Sequence, residues 1–268
     1  MIRDITIGQY YPAESVIHRL DTRVKLVGTL TFIISLFLHR SFLMYLVAAV
    51  FLTIVIKASK VPFRFMIKGL KAIMVLLLIT VVFNMFLTPG TPLIRIWKLT
   101  LTVEGVKQAA FMAIRLAFLI VGSSVMTLTT TPNHLTDGME KGLAPLNKLH
   151  VPVHEVSMIM SIALRFIPIL LEETDKIMKA QEARGADFDS GNLIQKAKSL
   201  VPLLVPLFIS AFRRANDLAM AMEARGYRGG EGRTKMKPLI YQKRDRMAYG
   251  VLLGYLAVMI LVGRFAPF

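Results

Sequence analysis

Two short runs in this chain repeat the same chemistry. Glu182-Ala183-Arg184-Gly185 and Glu223-Ala224-Arg225-Gly226 are identical in residue type and lie 41 residues apart. Each closes a stretch with helical periodicity, so each reads as a helix end. Glycine just past the last turn accepts the left-handed conformation, alanine is a good helix former, and a cation in the last turn complements the helix dipole. An ordinary helix stop would be served as well by lysine or histidine. Arginine adds a planar fork for bidentate bonds to a carboxylate. Two such forks on two rigid helices make a two-pronged docking element whose target would be an acidic groove on a cytoplasmic partner. Taken singly, each run also fits a plain helix stop.

Other residue types argue against catalysis. The chain has no cysteine, which excludes disulfides, thiolate metal sites and cysteine nucleophiles. Its histidines, His18, His39, His134, His150 and His154, show no metal-binding spacing. Pro152 stands between His150 and His154, so no shared helical face is expected there, and neither a metal nor a cofactor is expected. Glu172, Glu173 and Asp175 point in different directions on a helix and read as a solvated face. There is no GxxxxGK[ST] phosphate loop, so any ATP must be hydrolysed by a partner. Arg115 is the one clear charge inside an apolar run, and snorkelling to the outer interface is its expected fate.

The elements carrying these residues are those of a membrane protein. Of 268 residues, 54% are hydrophobic and only 19% charged. The formal net charge of +16 beside long apolar runs points to cytoplasmic loops at an anionic leaflet, not to nucleic acid. Apolar runs at Leu26–Leu38, Phe42–Ile56, Ala72–Thr88, Ala109–Thr129 and Met247–Gly263 give about five transmembrane helices. The first two are short and read as a tight hairpin around His39 and Arg40, or else as one tilted, broken helix. Lys57, Lys60, Arg64, Lys68 and Lys71 form a basic loop that belongs in the cytoplasm, which places the N-terminus there too. The loop Pro89–Lys107, with Trp97 at an interface, then falls outside.

Between the fourth and fifth runs the chain is charged yet periodic. Thr131-Pro132 opens a helix whose apolar face is Leu135, Met139, Leu143, Leu146 and Leu149. Val153–Arg184 follows with Pro168 as its only breaker, then Asn192–Arg225 with Pro202 and Pro206 near its start. These read as long amphipathic helices on the cytoplasmic face; the alternative is that one or both of the last two are true spans. The fold class is an all-α integral membrane protein. Its expected parts are a cytoplasmic segment and four spans over 1–130, a coupling-helix domain over 131–237, and a last span over 238–268.

Three stretches give the chain a family likeness: Tyr11-Pro12 with Ser15 and His18-Arg19-Leu20-Asp21-Thr22-Arg23-Val24-Lys25-Leu26; Leu164-Arg165-Phe166-Ile167-Pro168 with the first Ala-Arg-Gly; and Ala221–Tyr227 continuing through Gly229-Gly230 and Gly232-Arg233-Thr234. In this order they make the chain resemble the EcfT family, the transmembrane coupling subunits of energy-coupling factor transporters. Thr22 departs from the family, which often has proline there. The resemblance implies that Ala183, Arg184, Gly185, Ala224, Arg225 and Gly226 dock two ABC-type ATPase subunits. It also implies that Met158, Ile159, Ile162, Leu203, Leu204 and Leu207 face a membrane-embedded, substrate-binding S component, where flexible methionine suits a surface that repacks; helix–helix packing is the other reading of these six. The setting would be the plasma membrane, with vitamin or micronutrient uptake as the output. A stand-alone carrier would need polar residues lining several spans. A membrane enzyme acting on anionic lipid would need a catalytic cluster at interface depth, and neither pattern is evident.

Overall fold

In the computed structural model, residues 10–38, 41–96, 99–186, 188, 192–229, 236 and 238–265 are described. His39, Arg40, Trp97, Ser190 and the run Gly230–Lys235 lie outside them. The described residues are all-α apart from one two-stranded antiparallel hairpin, Pro92–Ile96 with Leu99–Thr102. Helices α1 (Thr22–Leu38), α2 (Phe42–Ser59), α3 (Phe63–Leu87), α4 (Val103–Thr129) and α5 (Pro132–Leu143) precede a 3₁₀ turn at Ala144–Leu149. Then come α6 (Val153–Ala183), α7 (Leu193–Ser199), α8 (Val201–Ala224) and α9 (Lys243–Phe265). Two compact units result, one built from Gly8–Gly138 with Leu239–Phe268 and one from Met139–Pro238.

Among the described residues, α2, α4, α6 and α9 are long and apolar enough to cross a membrane, and α3 makes a fifth if its two halves, bent by 61°, count as one span. The total matches expectation, but the membership differs. Helix α1 has 17 residues, about 26 Å of rise, at the lower limit for a span. Helix α6 qualifies because Pro168 lies inside one uninterrupted 31-residue helix, leaving its apolar window whole. The expected basic loop is also shorter: α3 starts at Phe63, behind an N-cap at Pro62, so Arg64, Lys68 and Lys71 are helical.

The first unit is welded by aromatic contacts among α1, α2 and α9, with α4 packed against them. Phe51 of α2 stacks on Tyr255 of α9 with centroids 4.2 Å apart, and Phe32 of α1 lies 6.1 and 6.3 Å from the two rings. Such pairs add about 0.5–1.5 kcal/mol each beyond area burial. Gly122 of α4 makes room, since a Cβ there would sit 2.6 Å from Phe32 Cε1. The Tyr255 hydroxyl shares a 2.7 Å hydrogen bond with Ser35 Oγ. Arg115 does not snorkel. Helix α4 begins at Val103, so Arg115 lies 12 residues in, where it is buried; its Nε donates to the Tyr45 hydroxyl at 3.0 Å and its guanidinium sits 5.1 Å over Phe37.

The N-terminal motif closes this unit at one end. Lys25 is buried and donates from Nζ to the carbonyls of Thr129 (2.8 Å) and His18 (3.2 Å). The His18 ring bridges Ser15 Oγ at 2.7 Å and the Tyr11 carbonyl at 3.0 Å. Asp21 holds Arg23 through two bonds, Nη2 to Oδ2 at 2.8 Å and Nε to Oδ1 at 3.1 Å, while the Arg23 guanidinium covers the Tyr241 ring at 3.7 Å. The Asp21 amide donates to Asp245 Oδ1 at 2.9 Å, and the Gln242 amide donates to Asp245 Oδ2 at 2.7 Å. One buried carboxylate therefore caps α9 and secures the start of α1.

After α4, prolines set the breaks. The helix opened by Thr131, whose Oγ1 accepts from the His134 amide at 3.4 Å, stops at Leu143. Pro145 lacks an amide proton and its ring would clash with the carbonyl four residues back, so Leu146 and Leu149 fall in the 3₁₀ turn and not on one continuous α-helical face. Likewise Asn192–Arg225 is two helices, divided at Leu200 with Pro202 in the first turn of α8, where a missing amide proton costs nothing.

Candidate functional site: paired helix ends on an antiparallel helix pair

Helices α6 and α8 pack side by side and run antiparallel. Arg214 Nη2 donates to Glu173 Oε2 at 3.0 Å, and Gln181 Nε2 donates to the Pro202 carbonyl at 3.4 Å. Ile162, Phe166 and Leu170 line a small apolar cavity with Ala215, Leu218 and Met222. Position therefore rises along α6 as it falls along α8. Glu173, expected on a solvated face, is instead the cross-link between the helices.

Both helices finish in the same way. At the end of α6, the Gly185 amide donates to Glu182 O (2.9 Å) and the Ala186 amide to Gln181 O (3.0 Å). At the end of α8, the Gly226 amide donates to Glu223 O (2.8 Å) and the Tyr227 amide to Met222 O (3.0 Å). Each is a Schellman closure, with the glycine in the left-handed region at φ +88° and +69°. The arginine is the cap residue in both. Because the backbone closes on itself, neither arginine side chain is needed to satisfy the last carbonyls. Ala183, Arg184, Gly185, Ala224, Arg225 and Gly226 are all exposed.

The antiparallel packing separates the two ends. The Arg184 end lies beside Pro202, and Arg225 is 23 residues further along α8, about 35 Å by helical rise. The six residues expected against a membrane partner do not share one environment. Ile159 and Leu204 are exposed, Met158 and Leu207 half-buried, Ile162 lines the cavity toward α8, and Leu203 is buried. The sequence marks Leu200–Phe212 as an apolar patch, and the structure leaves one flank of it uncovered. Val201, Leu204, Val205, Phe208 and Phe212 are exposed at positions i, i+3, i+4, i+7 and i+11, a full stripe along one face. Their spacing was legible, but a 13-residue apolar patch does not declare which flank stays uncovered.

His154 Nδ1 lies 2.9 Å from Glu140 Oε1, while His150 caps the 3₁₀ turn at φ 61°.

The family model for CbiQ, described as a cobalt transport protein, matches residues 13–236. The chain belongs to the CbiQ family. It is 59% identical over 264 residues to the energy-coupling factor transporter transmembrane protein EcfT of Clostridium kluyveri, covering 97% of both chains. The protein of that name from Thermosediminibacter oceani is 53% identical over 98% of this chain and 99% of its own. The Bacillus subtilis protein of that name is 48% identical over 91% and 93%. The expected EcfT likeness is thereby established, and with the apolar helices it makes the chain a multi-pass membrane protein of a transport family, not an enzyme.

Proposed function

We propose that this chain is the transmembrane coupling component of an energy-coupling factor transporter. It links ATP binding and hydrolysis by two ABC-type ATPases to vitamin or micronutrient uptake through a membrane-embedded S component. The observation that carries this reading is the pair of exposed, self-satisfied Arg-Gly ends about 35 Å apart on one cross-linked helix pair. Arg184 enters an acidic groove of one ATPase and Arg225 that of the other. The apolar stripe of α8, with Ile159 of α6, carries the S component. The basic residues from Lys57 to Lys71 favour a cytoplasmic N-terminus, and in this reading the Arg-Gly ends of the helix pair lie on the same side.

Arg184→Glu combined with Arg225→Glu leaves membrane insertion intact and abolishes co-purification of both ATPases. Each single variant loses one. Arg184→Lys is also harmful, because an ammonium cannot reproduce the bidentate fork. Undiminished ATPase recovery from the double variant would sink the two-pronged reading.

A further inference from the structure

The membrane unit contains a feature that coupling does not use. A groove of about 400 Å³ runs between α1, α2, α4 and α9, a size that takes a small-molecule ligand. Its floor is buried and apolar: Phe32, Leu52, Val125 and Leu252. Its rim is exposed and equally apolar, with Ile54 and Val251 uncovered. Such a channel in a membrane helix bundle fits a hydrocarbon chain.

The groove is polar only at one end. The first turns of α1 and α9 and the last turns of α2 and α4 meet there, contributing Lys25, Arg244, Ala58 and Thr129. No carboxylate is among the lining residues. Lys25 Nζ is engaged by two carbonyls, and the Thr29 and Thr129 hydroxyls donate to Lys25 O and Val125 O. Arg244 differs: its Nε is enclosed and has no hydrogen-bond partner. The first turn of α9 also holds Lys243 and Arg246, cations at the positive end of a helix dipole. The one acid there, Asp245, is buried and has both oxygens committed to backbone amides. The other acid near this end, Asp21, is bound to Arg23, so the end stays electropositive around Arg244.

We propose that the groove is a binding site for an anionic phospholipid, with the phosphate on Arg244 at the membrane interface and one acyl chain lying over Phe32 toward Val251. From Arg244 to Val251 is seven residues of α9, about 10 Å, the direction in which a chain descends from its headgroup into the hydrocarbon. A charge-assisted bond to phosphate completes the Arg244 guanidinium, and the chain covers apolar wall that helix packing leaves open.

Native mass spectrometry of the full-length protein in nonionic detergent, titrated with phosphatidylglycerol or phosphatidylcholine, tests this. Phosphatidylglycerol is retained at one site and phosphatidylcholine is not. Arg244→Gln weakens retention roughly tenfold, the scale of a lost charged hydrogen bond. Ala248→Trp, which fills the groove from α9, and Gly28→Leu, which fills it from α1, cause the same loss. Arg246→Gln, on the exposed side of the same helix, leaves retention unchanged. An equal loss from Arg246→Gln would reduce the effect to diffuse surface attraction and overturn the site. Equal retention of phosphatidylcholine would overturn headgroup recognition, and full retention by both groove-filling variants would overturn the seat of the chain.

Discussion

A glycine at φ +69° or +88° does two things at the end of a helix. It turns the chain out of the helical path, and it brings the next amide back onto the carbonyl five residues earlier. A Cβ at Gly185 or Gly226 would meet no neighbouring atom, so alanine there costs only the left-handed conformation, about 1–2 kcal/mol. Gly226→Ala should therefore fray the last turn of α8 while hardly moving global unfolding. Hydrogen exchange reads this directly: the Tyr227 amide speeds up roughly tenfold, and an unchanged rate would mean that the turn does not depend on glycine. These caps were legible in the sequence because capping is local chemistry. Arg115 was not, because its partner Tyr45 lies 70 positions away and the true start of α4 precedes its apolar run.

Helices α6 and α8 show what an element-scale reading can and cannot supply. Proline positions gave their approximate limits. Pro168 was absorbed into α6 because the helix can lose one internal hydrogen bond when its flanks are packed, whereas Pro202 falls in the first turn of α8, where its missing amide proton is not needed and a new helix can start. The antiparallel pairing was invisible in either helix alone, being carried by contacts such as Glu173 with Arg214. That ion pair is about a third exposed, at 37% and 27% for Arg214 and Glu173, so solvent screens it. A double-mutant cycle with Glu173→Ala and Arg214→Ala should give a coupling of about 0.2–1 kcal/mol by thermal unfolding. A coupling of several kcal/mol would mark it as a principal clamp on the pair.

At the scale of the whole molecule, the membrane unit depends on a clasp made near the start of the chain. Burial, ahead of repulsion from Lys25, holds the His18 imidazole below its ordinary value of 6.5, although the Tyr11 carbonyl pulls the other way. The unfolded chain therefore binds a proton before the folded one does. Stability contributed here is full above pH 6.5, declines as the pH falls through that value, and levels off below the folded pKa. Thermal unfolding between pH 8 and 5 should show this decline, and His18→Gln should flatten it; identical profiles would exclude His18 as the source. The sequence marked the His18–Leu26 run as distinctive without saying what it holds. Its counterpart is Asp245, 224 positions later, and that distance has a consequence for assembly. At about 5–20 residues per second of synthesis, Asp21 waits roughly 10–45 s for the carboxylate that secures it. Until then Phe32 and Phe51 lack Tyr255, and the intervening helices α6 and α8 have already emerged. The membrane unit can be completed only after everything between its two ends has been made, so premature termination before α9 leaves an open bundle for quality control to find, however well its first four helices are formed.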